Sequence, residues 1–242
     1  MILFIRKIRK RLLAESKFTK YLIYVTGEII LIVIGILIAL SIDNWNSGQI
    51  SRKKEFAILK EMKKNLLSDL RDIRNNIIMN KVSLRANEFV FENLSNPEND
   101  TDSLNFYYAH LTLTTILDIN NSSYENLKST GFQIIENDSL RAKITDLYTT
   151  SYVFLRNMEN VIYSIQSNKI IPLVISNIIT DTLFISARPL DYEALSANHE
   201  FKESIKLSRE WFRFMVGLYE NTELEITTLL RQIDDDIKSR NN

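Results

Sequence analysis

From Tyr21 to Ile42 the chain reads YLIYVTGEIILIVIGILIALSI, a run with one charge, at Glu28. As a helix it is about 33 Å long against a hydrocarbon core of about 30 Å, so it is long enough to span a bilayer. Tyr21, Tyr24 and Trp45 then fall near the two interfaces, where amphipathic rings collect. The rival reading is a cleaved leader, because Ala39-Leu40-Ser41 has the small-x-small form of a cleavage site. The residues ahead of the run would make that leader unusually long, which favours the span.

The formal charge of the chain is zero, and its distribution carries the information. Residues 1–20 hold seven basic residues and one acid, a net +6; the span holds only Glu28; residues 43–242 sum to −5. The first twenty residues past the span hold four basic residues, Arg52, Lys53, Lys54 and Lys60. Seven against four favours a cytoplasmic N-terminus, since a long C-terminal domain translocates largely regardless of charge. Phe4, Ile5, Ile8 and Leu12 lie at helical spacing among Arg6, Lys7, Arg9, Lys10 and Arg11. The segment therefore reads either as a short amphipathic helix whose cations contact anionic lipid headgroups, or as a basic tail that only sets topology.

Glu28 would sit roughly 9 Å inside the hydrocarbon core, where an ionised carboxylate is costly. At 100° per residue, Tyr21, Tyr24, Glu28, Gly35 and Ala39 share one line on an otherwise aliphatic rod. Small residues four apart allow close helix approach in lipid. That face is a candidate packing surface for another membrane helix, a second copy or a partner. The alternative is that Glu28 snorkels to the cytoplasmic headgroups.

The run RKIRKRLLAESKFTKYLIYVTGEIILIVIGILIALSIDNWN, residues 6–46, resembles the N-terminal signature of an uncharacterised family of single-pass membrane proteins from Gram-negative bacteria, a domain of unknown function. YENLKSTG at Tyr124–Gly131, with Ile134, Ile135 and Leu140 after it, is similar to that family's second recurring stretch. The resemblance implies an inner-membrane anchor with a periplasmic domain and brings no activity.

Beyond the span, Gly and Pro together are 8 of 242 residues, too few for folds that turn every 8 to 12 residues. Long helices are expected. Leu59, Met62, Leu66, Leu70, Ile73 and Ile77 form one seam of a helix running to about Leu94, before the breaker SNPENDTDS at 95–103. A shorter helix is predicted from Ser103 to about Thr115. Ser122-x-x-Glu125 reads as a capping box opening a short helix that Gly131 closes. A long amphipathic stretch follows from Asp138 to about Lys169, carrying Leu140, Ile144, Leu147, Phe154, Met158, Val161 and Ile165, and is ended or kinked by Pro172. Residues 177–197 read as a connector with a short helix at 191–195. Asn198 is a plausible N-cap for a last helix with coiled-coil-like heptad spacing through Phe201, Ile205, Phe212, Tyr219, Ile226, Leu230, Ile233 and Ile237. The expected fold is all-α: one transmembrane helix at 21–42 after a basic segment at 1–20, then an antiparallel bundle of long helices over 43–242.

No constellation points to catalysis or to a cofactor. The absence of Cys removes disulfides, thiolate metal sites and cysteine nucleophiles. His110 and His199 lack zinc-helix spacing and read as surface or capping residues. Asp234-Asp235-Asp236 reads as a solvated face, and Ser51-x-x-Lys54 lacks a matching partner motif and a sheet. Phe106, Tyr107, Tyr108, Tyr124, Phe132, Tyr148, Tyr152, Phe154, Tyr163, Trp211, Phe212, Phe214 and Tyr219 could line a ligand pocket, but at helical spacing they read as core. Nucleic-acid binding is not expected. The sequence thus favours a non-enzymatic, membrane-anchored helical interaction or scaffold protein of the bacterial envelope; a sensor-like ligand-binding bundle is the alternative.

Overall fold

The computed structural model describes Arg6, residues 18–96 and residues 104–239. The chain divides into two units, Met1–Lys54 and Glu55–Asn242.

Helix α1, Phe18–Ser95, contributes to both units. In the first unit, thirteen aliphatic side chains between Leu22 and Ile42 are exposed. Leaving them in water would forgo roughly 1.5–3 kcal/mol each, on the order of 20–40 kcal/mol together. No atom outside the helix's own backbone lies within 4 Å of where a side chain on Gly35 would begin. The stretch is long and apolar enough to cross a membrane.

The second unit is built on the predicted seam: Leu59, Met62, Leu66, Leu70, Ile73 and Ile77 are all buried. Asp138–Asp146 (α4), Tyr152–Ile165 (α5) and Ile171–Asn177 (α6) follow one another through π-helical turns at Leu147–Ser151 and Gln166–Ile170. Pro172 therefore does not end the helical stack. It sits in the first turn of α6, where a missing N–H is tolerated, directly after the π turn. The last long helix, His199–Ser239, begins at the predicted cap, with Asn198 Oδ1 accepting the Phe201 N–H at 3.0 Å.

That last helix is antiparallel to α1, as the ion pairs Lys63–Asp234, Arg74–Glu223, Lys81–Glu220 and Glu88–Arg213 show. Of the run that the sequence reads as a solvated face, Asp235 is exposed, while Asp234 is partly exposed in its pair with Lys63. The contacts Glu55–Glu136 and Asp69–Tyr152 make α1 and the α4–α6 stack parallel, so only the last helix runs against both.

Parallel neighbours need a return path. It begins at α2, Leu104–Tyr108, which is shorter than the predicted Ser103–Thr115 helix. Residues 113–121 are not helical, and Ser122–Thr130 (α3) follows, closed by Gly131 at φ 102°. The expected capping box does not form. Asn121 is the N-cap and offers no side-chain bond, while Ser122 Oγ is engaged by Asn65 and Asn120.

The connector at 177–197 holds an antiparallel hairpin of Ile178–Thr182 (β1) and Ser186–Pro189 (β2), pairing Ile178 with Pro189 and Thr182 with Ser186. Its signal is a β-branched run, Ile178-Ile179-Thr180, that carries no Asn-Gly or Gly-rich turn. The short helix expected beside it is Tyr192–Ala197 (α7), capped by Asp191 through Ala194 N–H at 3.0 Å. His199–Ser239 is then α8. The core has two clusters: a main one along α1, α4, α5 and α8, and a second around Ala86, Val90, Leu104, Ala187 and Phe201.

Candidate functional site

A second stripe lies beside the apolar seam of α1. Asn65, Asp69, Asp72, Asn76, Asn80, Ser83 and Asn87 recur every three or four residues, and all but Asp72 are buried. Buried polar groups need partners. Here most of them read the backbone and side chains of 113–122 in order. Ser83 Oγ donates to the Leu113 carbonyl at 3.0 Å and Asn80 Nδ2 to Thr115 Oγ1 at 2.7 Å. Asp72 accepts the Asp118 N–H at 2.9 Å, Asp69 the Asn120 N–H at 3.1 Å, and Asn65 donates to Ser122 Oγ at 2.7 Å.

The lengths agree with a stretched strap. From Leu113 to Ser122 an extended chain covers about 30 Å, and from Ser83 down to Asn65 the helix covers about 27 Å. The return path is thus an extended segment laid antiparallel along α1, its peptide groups satisfied by side chains.

Leu117, fully buried, anchors the middle of the strap. Both of its peptide groups go to α5: Glu159 Oε1 accepts its N–H at 2.8 Å, and Arg156 donates to its carbonyl at 2.7 Å. Glu159 Oε1 also accepts the Tyr219 hydroxyl of α8 at 2.5 Å, while Oε2 lies 3.5 Å from Arg156 Nε. Burial holds the Glu159 and Asp69 carboxyls above their usual range, against the lowering effect of the bonds they accept. The Tyr152 and Tyr219 phenols are pushed up by burial beside those carboxylates, so they remain proton donors to them. Tyr152 donates to Asp69 at 2.8 Å.

The bonds that these acids accept give them a positioning role. Among the described residues, no group of three or more His, Asp or Glu side chains is placed to hold a metal ion. His110 is buried, not superficial, with Nδ1 2.8 Å from the Phe106 carbonyl.

The outer surface of the same helix pair differs. On α5, Phe154 and Val161 are exposed and Met158 and Ile165 half-buried; on α8, Leu207 and Phe214 are exposed and Trp211 and Leu218 half-buried. Met158, Leu207, Glu210, Trp211 and Phe214 line an open groove of about 390 Å³. Thus Glu159 faces inward to the strap while its neighbour Met158 faces a groove. The strap fixes the spacing of the two helices that present this apolar face.

Of the sequence-predicted membrane face, Tyr21 and Tyr24 are half-buried, and Glu28, Gly35 and Ala39 are exposed. Arg6 is helical and exposed, and Lys7, Arg9, Lys10 and Arg11 lie outside the described residues. Sequence reasoning missed the α1 polar stripe, although its helical spacing beside the apolar seam was a readable signal.

The chain matches no curated protein and no solved structure. A family model covers residues 28–183, from the apolar stretch through the polar stripe, the strap and the α4–α6 stack into the hairpin. The chain belongs to that family, the family of unknown function DUF6090.

Proposed function

We propose that this is a single-pass, membrane-anchored helical interaction protein of the Gram-negative envelope, without catalytic activity. Tyr21–Ile42 crosses the inner membrane, residues 1–20 stay at the cytoplasmic leaflet, and residues 43–242 stand in the periplasm as a domain that binds a protein partner. The excess of basic residues before the span supports this orientation. Arg6, Lys7, Arg9, Lys10 and Arg11 supply headgroup contacts, and Tyr21, Tyr24, Glu28, Gly35 and Ala39 a helix-packing face within the bilayer.

The observation that carries the reading is the apolar α5–α8 face, where exposed and half-buried apolar side chains line up along two adjacent helices. Apolar side chains grouped along two helices mark a docking surface more often than singly exposed ones do.

Crosslinking and affinity capture from detergent-solubilised membranes is the test. A stoichiometric protein, a second copy included, should be recovered and should be lost on Phe214→Glu. A small ligand found by thermal shift, with no captured protein, would replace this reading with a ligand sensor.

A further inference from the structure

We infer that the occupant of the α5–α8 face is a second copy of this chain, an inference that rests on the interaction reading and names its partner. Both helices repeat their outward apolar residues at the same 4, 3, 4 spacing: Phe154, Met158, Val161, Ile165 on α5, and Leu207, Trp211, Phe214, Leu218 on α8. That spacing is the seam of a helical bundle. The two helices run antiparallel, since Glu159 meets Tyr219 and Gln166 meets Ser208. The pair is therefore half of an antiparallel four-helix bundle with its inner seam open. A two-fold axis along the pair completes it, setting α5 of each copy against α8 of the other.

The area suits such a dimer. Two helices about 10 Å apart, from Glu203 to Asn221 on α8, present a face roughly 20 Å by 27 Å, about 500 Å² in projection and more once side-chain relief is counted. A standard interface buries about 800 Å² per partner, so the face is near the size that a specific dimer needs. Chains held in one bilayer gain effective concentration for the remainder.

The rims are compatible as well. The edge of α5 and of the π turn after it carries Asn157, Ser164 and Asn168, all exposed and uncharged. The α8 edge carries Glu203 and Glu210. Glu203 is paired within α8 with Lys206, and Glu210 with Arg209 and Arg213. Crossing the copies sets these paired carboxylates beside uncharged amide and hydroxyl groups, and opposes no like charges. A face set α8 against α8 would lack this match.

Because the chain has no Cys, single introduced thiols report on the contact without background. Full-length protein carrying Phe214→Cys or Val161→Cys, treated in its own membranes with a short bismaleimide, should give a band at twice the chain mass. Lys128→Cys, exposed on α3, should not. Leu207→Glu should lower the crosslinked fraction of Phe214→Cys at least tenfold while leaving the far-ultraviolet circular dichroism unchanged. Crosslinks from Phe214→Cys to a protein of different mass would overturn self-association and leave the interaction reading standing. No crosslink to any protein, with a monomer by light scattering in detergent, would overturn both. Equal dimer yield from Lys128→Cys would assign the pairing to the membrane segment and overturn the face.

Discussion

Glu159 on α5 and Tyr219 on α8 share a 2.5 Å hydrogen bond, and the same carboxylate oxygen holds the Leu117 N–H at 2.8 Å. One buried side chain thus joins two long helices and the extended strap, on the turn of α5 whose other side opens onto the apolar groove.

Glu159→Ala should destabilise the protein by about 2–4 kcal/mol, because it leaves a buried N–H and a phenol without an acceptor. Glu159→Gln keeps an acceptor at Oε1 and removes the buried charge, so it should stay within about 1 kcal/mol of the parent. Urea denaturation of the second unit's signal measures both. Equal losses in the two variants would contradict the assigned role.

The pH dependence follows from the same pair of acids. Burial holds the Asp69 and Glu159 carboxyls above their ordinary values of 3.8 and 4.5, so the folded state holds more protons than the unfolded one above those values. Their contribution is most favourable below the unfolded pKa values and is lost as pH rises through the folded ones. The parent should therefore gain stability relative to Asp69→Asn/Glu159→Gln on going from pH 7 to pH 5. Denaturation midpoints of both proteins at the two pH values give the sign; a parent that loses ground on acidification contradicts it.

At the hairpin tip, Phe184 has φ 57° and is half-exposed between exposed Leu183 and Ile185. A bulky residue in the left-handed region costs about 1–2 kcal/mol, and Asn tolerates it better. Phe184→Asn should raise the stability of the second unit by about 1 kcal/mol, read as a higher Tm. A fall would mean that the Phe184 ring, 6.4 Å from His110, stabilises the tip more than its backbone strains it.

The parts legible in the sequence were those whose partners lie within a helical repeat. The Leu59–Ile77 seam, the Asn198 cap and the α8 heptads are local patterns, and each forms as read. The predicted Ser103–Thr115 helix overlaps only the first residues of the strap, and the rest has no local pattern to read because its bonding partners are remote: Leu117 depends on Glu159, and Asn120 on Asp69. Ser122 and Glu125 have capping-box spacing, yet the Ser122 hydroxyl is taken by Asn65, far away in sequence. Phe154, Trp211 and Phe214 read as core in the sequence, yet Phe154 and Phe214 are exposed and Trp211 half-buried; they share helices with core residues such as Leu155, Phe212 and Tyr219, and only the fold separates inner from outer positions.

The central claim is that the second unit is held across a membrane from the basic N-terminus. Lys128→Cys in the full-length chain, probed with a membrane-impermeant maleimide on intact bacterial spheroplasts, tests it directly. The account predicts labelling without lysis and retention of the chain in carbonate-washed membranes. Labelling only after lysis, or release of the chain by carbonate, would contradict it.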